Sequence, residues 1–245
     1  MLTFLGIGAQ KAGTTWLYAQ LNKHPQISFP GGKEIHFWDR LDDPKRISAY
    51  LARFGDTHRY QGEITPAYAL LPVAVITHIQ RVAPDVKLFY LLRNPIERAW
   101  SSALMALGRA EMTFEEASDA WFIDHFRSSG SLRRGDYATC IRNWHQIFPT
   151  EQLLLLRHEA IQTRPEELLR QCYRHIGVAA PATDLLADCR ERVFAGPGHS
   201  LRPNLRAALV ELYRPRVAAL EDLLGEDFSA WLRGPAETCG IRRTD

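Results

Sequence analysis

The segment Gly8-Ala9-Gln10-Lys11-Ala12-Gly13-Thr14-Thr15 separates two glycines by four residues and follows them with two hydroxyl side chains. An apolar run, Thr3–Ala9, precedes it, and the helical pattern Thr14–Asn22 follows. Any strand–turn–helix can use glycines in its turn, but this spacing is also that of a phosphate-binding loop. In such a loop the backbone N–H groups and the positive end of the helix dipole face an anion. A nucleoside-triphosphate site would add Gly-Lys-Ser/Thr, with the lysine on the γ-phosphate. Here Thr14 stands in that place, the loop's lysine is Lys11, and no apolar strand ends in a Mg²⁺-binding aspartate. The loop therefore suits a 5′-phosphate carrying one further group, with Lys11 near the bond to be broken. Gln10, Lys11, Ala12, Gly13, Thr14, Thr15 and Trp16 are its candidate binding residues.

Two other places carry chemistry. Glu34 and His36 are two apart, so an extended Lys33–Trp38 would set both side chains on one face with Ile35 and Phe37 on the other. That pattern is the solvated face of a strand edge, or a carboxylate held in a partly dry cleft as a base. Arg93, directly after the apolar run Lys87–Leu92, is a surface arginine or a planar anion-binding fork.

The elements that position these residues are legible. Thr3–Ala9, Lys87–Leu92, Gln152–Leu156 and, more weakly, Tyr60–Ile64 have the apolar character of buried parallel strands. Asp43-Pro44 and Asn94-Pro95 start helices, Thr113/Glu116 and Thr163/Glu166 have capping-box spacing, and Gly55, Gly177 and Gly225 stop helices. Alternating strands and helices predict an α/β fold: a single domain over 1–245 with a central parallel sheet flanked by helices and the P-loop-like turn after its first strand. Ligands of such sheets sit at the carboxyl ends of the strands, here after Ala9, Ile64 and Leu92.

Composition narrows the function classes. The chain has 245 residues, with 46% hydrophobic and 24% charged side chains, which excludes a disordered polymer. A net charge of +2 argues against a general nucleic-acid or membrane-surface binder. Cys140, Cys172, Cys189 and Cys239 lie far apart, without metal-ligand spacing, and read as buried thiols of a reducing, cytoplasmic compartment; no metal is expected. The longest apolar stretch, Ala67–Ile76, contains Pro72 and is too short to span a bilayer, and the opening Leu2–Ala9 lacks the basic lead-in of a signal peptide. Arginine greatly outnumbers lysine, as in proteins from GC-rich bacterial genomes.

Phe4–Leu17, which contains the loop, resembles the 5′-phosphosulfate loop of sulfotransferases that use 3′-phosphoadenosine-5′-phosphosulfate (PAPS). Leu91-Leu92-Arg93-Asn94-Pro95-Ile96-Glu97-Arg98-Ala99-Trp100-Ser101 resembles their 3′-phosphate motif. Lys33-Glu34-Ile35-His36-Phe37-Trp38-Asp39 and Gly62-Glu63-Ile64-Thr65-Pro66-Ala67-Tyr68 are similar to segments of the glycosaminoglycan (heparan sulfate)-type branch. Arg134-Gly135-Asp136-Tyr137 and the segment from Glu211 to Trp231 extend the likeness, in family order, over nearly the whole chain.

The resemblance implies a sulfotransferase that binds PAPS, releases the bisphosphate PAP and needs no metal. It implies that Arg93 and Ser101 hold the 3′-phosphate, that Glu34 is the general base, that His36 orients the acceptor or Glu34, and that Asp39 supports them or caps a helix. Lys11 would stabilise charge on the leaving phosphate. Two segments depart from the family. Ile64 replaces a lysine near the expected acceptor site, and the Lys-Gly-Arg loop is absent. In its place stands the Gly/Pro-containing segment Phe194–Arg202, read as a flexible loop over the nucleotide with Arg192, Ser200 and Arg202 as candidate contacts. Near neutrality, Ile64 and the aromatic residues Phe37, Trp38 and Tyr68 predict an acceptor of low charge: a small or medium-sized molecule, glycan or lipid-like chain with a free hydroxyl. The alternatives are a P-loop kinase, disfavoured by Thr14 and the Arg93-Asn94-Pro95 motif, and an inactive nucleotide-binding protein, disfavoured by the presence of both Lys11 and Glu34. Oligomeric state is not legible.

Overall fold

A computed structural model describes residues 1–180, 189–190 and 198–233. Arg192, residues 194–197 and Cys239, singled out above, lie outside the described residues. Five strands form one sheet: β1 (Leu2–Gly8), β2 (Ile27–Ser28), β3 (Tyr60–Ile64), β4 (Lys87–Leu92) and β5 (Leu153–Arg157). Their order is β2-β3-β1-β4-β5, and every neighbouring pair is parallel. The helices are α1 (Thr14–Leu21), α2 (Ile47–Leu51), α3 (Val73–Val82), α4 (Pro95–Arg109), α5 (Asp119–Arg127), α6 (Ser129–Arg134), α7 (Tyr137–His145), α8 (Glu159–Thr163), α9 (Pro165–Ile176) and α10 (Pro203–Leu224). The expected α/β architecture is present.

β1 and β4 are covered on both faces, which explains their unbroken apolar runs: Phe4, Leu5, Ile7, Leu88, Phe89, Tyr90, Leu91 and Leu92 are fully buried. A second apolar cluster holds α4, α5 and α10 together through Ile96, Trp100, Phe122, Phe126, Leu205 and Tyr213. Because all strands run one way, their carboxyl ends form one rim. The chain leaves β1 toward β3 on one side, while β4 lies on the other, so the loops after β1 and β4 diverge and open a crevice. Strand β2 has two residues, too few for a sequence pattern, yet it delivers Glu34 and His36 to the same rim.

Helix ends follow the sequence at three places and depart from it at two. Asn94 caps α4, its Oδ1 accepting from the Ile96 N–H at 3.0 Å, and Gly177 and Gly225 close α9 and α10 in left-handed conformations. Thr113 and Glu116 exchange both capping-box bonds, although the helix that follows starts only at Asp119, after Ser118. The Thr163/Glu166 box does not form. Pro165 opens α9, and the Thr163 hydroxyl turns back to the Glu159 carbonyl at 3.0 Å. Among the described residues no helix is long and apolar enough to cross a membrane.

Candidate active site

The turn after β1 is held by its own carbonyls. Arg93 Nη1 donates to the Lys11 carbonyl at 2.8 Å, and His158 Nδ1 lies 3.1 Å from the Ala12 carbonyl. Since the two ends of a trans peptide point in opposite directions, a carbonyl drawn to His158 aims the Gly13 N–H away from it. Gly13 is the N-cap of α1 at φ 97°, and a Cβ there would lie 2.3 Å from Ile161 Cδ1, so only glycine fits. It supplies no side-chain cap, and the first turn holds no acidic residue. The N–H groups of Gly13–Trp16 therefore belong to the uncapped, positive end of the helix. Thr14 is buried, Thr15 exposed, and Gln10 and Lys11 half-buried beside them. Burial, then the neighbouring Arg93, Arg109 and Lys33, holds the Lys11 ammonium below its ordinary pKa. Trp16 turns inward, its indole N–H bonding the Cys189 carbonyl at 2.9 Å.

At the end of β4, three ties fix the Arg93-Asn94 turn. The Tyr137 hydroxyl donates to the Arg93 carbonyl at 2.7 Å, Asn94 Nδ2 donates to the Trp231 carbonyl at 3.0 Å, and Arg93 Nη2 meets Glu97 Oε2 at 3.4 Å. The buried Nε of Arg93 has no partner among the described residues. Ser101, half-buried, follows on α4 beside Trp100, whose indole N–H bonds the His199 carbonyl at 2.9 Å. That bond brings the segment carrying exposed Ser200 against α4. Arg202 is engaged locally: it pairs with Asp119 and lies 4.6 Å over the Phe114 ring, itself stacked on His199 at 4.2 Å.

The Lys33–Trp38 segment is not the extended strand its alternation predicts. Glu34 and His36 occupy left-handed backbone conformations, φ 62° and 56°, and this double turn also puts their side chains together while Ile35 and Phe37 pack on the core. His36 Nδ1 is 2.8 Å from Asp39 Oδ2, and Nε2 is 3.7 Å from Glu34 Oε2. To bond a carboxylate, Nδ1 must carry the proton, which leaves the Nε2 lone pair facing Glu34 in the neutral ring. Lys33 pairs with Glu34, whose side chain remains 43% exposed. Lys11, Glu34, His36 and Glu111 are the non-glycine residues with positive φ among the described residues, so three of the four are site candidates. Such conformations cost on the order of 1–3 kcal/mol each and cluster at functional sites.

The aromatic residues expected to wall the acceptor pocket do not. Trp38 and Tyr68 are 1% and 0% exposed, and Phe37 stacks on Tyr50. Ile64, the lysine replacement, is buried over Gly6. The roles of His158 and Tyr137 are absent from the sequence reading because both act on backbone carbonyls of distant turns; His158 lies immediately after β5, on the same rim.

Comparisons with known proteins agree with this geometry. The sulfotransferase domain family matches residues 3–195. Mouse heparan sulfate glucosamine 3-O-sulfotransferase 3B1 is 30% identical over 187 residues, covering 73% of this chain and 46% of that protein. Human bifunctional heparan sulfate N-deacetylase/N-sulfotransferase 1 is 28% identical over 190 residues, covering 70% of this chain and 21% of that protein. The chain thus spans about half the length, or less, of these curated relatives. A crystal structure of a sulfotransferase from Alicyclobacillus acidocaldarius superimposes with a TM-score of 0.73 at 29% identity, covering 95% of this chain and 99% of that one. Mouse sulfotransferase SULT7A1 complexed with PAP shares the fold, with a TM-score of 0.58 at 16% identity over 88% of this chain and 84% of that one. With the family match spanning most of its length, and the loop, the Arg93 turn and the Glu34–His36 pair on one rim, this chain belongs to the sulfotransferase domain family.

Proposed function

We propose that the protein transfers a sulfuryl group from PAPS to a hydroxyl of a glycan-type or smaller acceptor, with Glu34 as general base. One observation carries this reading. The uncapped amino end of α1, Lys11 and the Arg93 fork converge at one end of a parallel sheet, beside an exposed carboxylate–imidazole pair. The lining fits a bisphosphate nucleotide: its donors are N–H groups, hydroxyls, an ammonium and a guanidinium whose buried Nε lacks a partner among the described residues.

In this reading Lys11, Thr14, Thr15 and the N–H groups of Gly13–Trp16 hold the 5′-phosphate, and Arg93 and Ser101 hold the 3′-phosphate. Ser200 lies within reach of the same side through the Trp100–His199 tie; Arg202 serves mainly to anchor that segment. PAPS supplies the sulfuryl group and a phosphate leaving group. Lys11 and the helix-end N–H groups stabilise the charge that accumulates on the leaving oxygen, each such donor typically contributing about 3–4 kcal/mol. Glu34 accepts the proton of the attacking hydroxyl, and His36, its Nδ1 held by Asp39, directs Nε2 at the acceptor to orient it beside Glu34. The relatives named for heparan sulfate glucosamine 3-O-sulfation support a sugar hydroxyl as acceptor. Of the nearby cations, Lys33 is balanced by the Glu34 carboxylate. With Ile64 buried, this favours an acceptor of low charge.

Four expectations test the assignment. PAP at 100-fold over its Kd should add about 2.7 kcal/mol of stability, roughly 5–11 °C in melting temperature for a chain this long, and ATP much less. Equal shifts would remove Arg93 and Ser101 from the 3′-phosphate role. The lowered Lys11 pKa has a direct sign: its charge is lost at a lower pH than an ordinary lysine's, so PAP affinity should already decline below pH 10.5. Lys11→Arg should flatten that alkaline limb, and an unchanged limb would mean that another group titrates. Glu34→Gln should abolish turnover while PAP affinity stays within about twofold. Turnover that survives in Glu34→Gln and is lost in His36→Ala would make His36 the base. Finally, the acceptor KM should change by less than about tenfold between roughly 50 and 300 mM salt, because Lys33 is offset by Glu34 and Ile64 adds no charge. A steeper rise, with activity on sulfated polysaccharide, would identify a polyanionic acceptor instead.

A further inference from the structure

Glu63, at the carboxyl end of β3, is 0% exposed and has no basic partner in its hydrogen bonds. Its carboxylate is met by four neutral donors. Tyr50 and Tyr68 hydroxyls donate to Oε1 at 2.5 and 2.9 Å, the Thr65 hydroxyl donates to Oε2 at 2.9 Å, and the Ile35 N–H completes the set. The Tyr68 oxygen, while donating to Glu63, accepts the N–H groups of Phe37 at 3.0 Å and Trp38 at 3.3 Å. The Glu34 N–H is taken by the Ile64 carbonyl at 3.0 Å.

Four N–H groups of the loop that carries Glu34 and His36 therefore end on β3 or on the side chains gathered around Glu63. Both catalytic candidates sit in left-handed backbone that an unrestrained loop would leave. What restrains them is an array of N–H groups flanking each strained residue, two bonded directly to β3 or Glu63 and two bonded through Tyr68. A buried carboxylate is an expensive anchor for a merely structural purpose, since burial disfavours its charge and raises its pKa against the opposing hydrogen bonds.

We propose that Glu63, acting through the Tyr68 hydroxyl, is a positioning residue that holds the Glu34–His36 pair in its left-handed, transfer-competent turn. This rests on the reading of Glu34 and His36 as transfer residues. Tyr50 provides the internal comparison. It donates to the same oxygen and stacks on Phe37, but the loop's backbone N–H groups of Phe37 and Trp38 go to Tyr68 instead.

The test compares Tyr68→Phe with Tyr50→Phe, each of which keeps its ring and removes one bond to Glu63. Tyr68→Phe should lower kcat for sulfuryl transfer by about 10- to 100-fold, with PAP Kd within about twofold, since misplaced catalytic groups cost rate rather than nucleotide binding. The amides of Phe37 and Trp38 should exchange with solvent at least about tenfold faster in the same variant. Tyr50→Phe should leave kcat within about threefold even where it lowers the melting temperature as much. Glu63→Gln should reproduce the kcat loss of Tyr68→Phe in milder form. Parallel loss of kcat and melting temperature in both tyrosine variants would reduce the network to a structural role and overturn the proposal. Unchanged exchange at Phe37 and Trp38 would overturn it whatever the turnover. A wild-type protein that binds PAP but transfers no sulfuryl group would overturn it through the function it rests on, and faster amide exchange in Tyr68→Phe would identify that as the point of failure.

Discussion

The uniform direction of the strands is the constraint from which the rest follows. With five parallel strands, every connection must cross back over the sheet, and every strand ends on the same rim. Residues separated by more than a hundred positions then become neighbours with no contact designed between them individually. Lys11, Glu34, Arg93 and His158 each lie within a few residues after a strand end, on β1, β2, β4 and β5 respectively. The fold supplies proximity, and local side-chain bonds need only supply orientation.

That orientation is obtained largely through backbone groups. Arg93 and His158 grip carbonyls of the β1 turn, Tyr137 and Asn94 fix the Arg93 turn, and Tyr68 collects N–H groups of the Glu34 loop. Arg93 thereby serves two parts of the rim at once: one nitrogen shapes the turn after β1, and another has no partner among the described residues. Changes at Arg93 therefore reach both the turn after β1 and the start of α4. A guanidinium can serve this double purpose because its donors diverge in a fixed plane, which an ammonium cannot reproduce.

The sequence is legible where burial imposes a pattern. β1 and β4 are apolar without interruption because both faces are covered, and the turn after β1 announces itself through Gly13 and its hydroxyls. β2 leaves no such trace because two residues carry no period. The alternation from Lys33 to Trp38 is real, with polar side chains outward and apolar inward, but two left-handed residues generate it as readily as a strand does. Of the aromatic residues expected at the acceptor pocket, Trp38 and Tyr68 are instead buried and support the loop from beneath. Tertiary bonds to carbonyls, such as that of His158, involve a residue type with many ordinary uses and no spacing rule. Only the folded rim distinguishes them.

The bond from Asn94 to the Trp231 carbonyl spans 137 residues. During vectorial synthesis at about 5–20 residues per second, Trp231 is made roughly 7 to 27 s after Asn94. By then all five strands have been made, and the β1 turn already has Arg93 and His158 available to it. The turn that bears Arg93 receives this fastening only after all five strands have been made. A nascent chain can thus assemble its sheet well before the Arg93 turn is fully fastened, so the order in which the ribosome delivers residues separates forming the sheet from fixing the rim at its carboxyl ends.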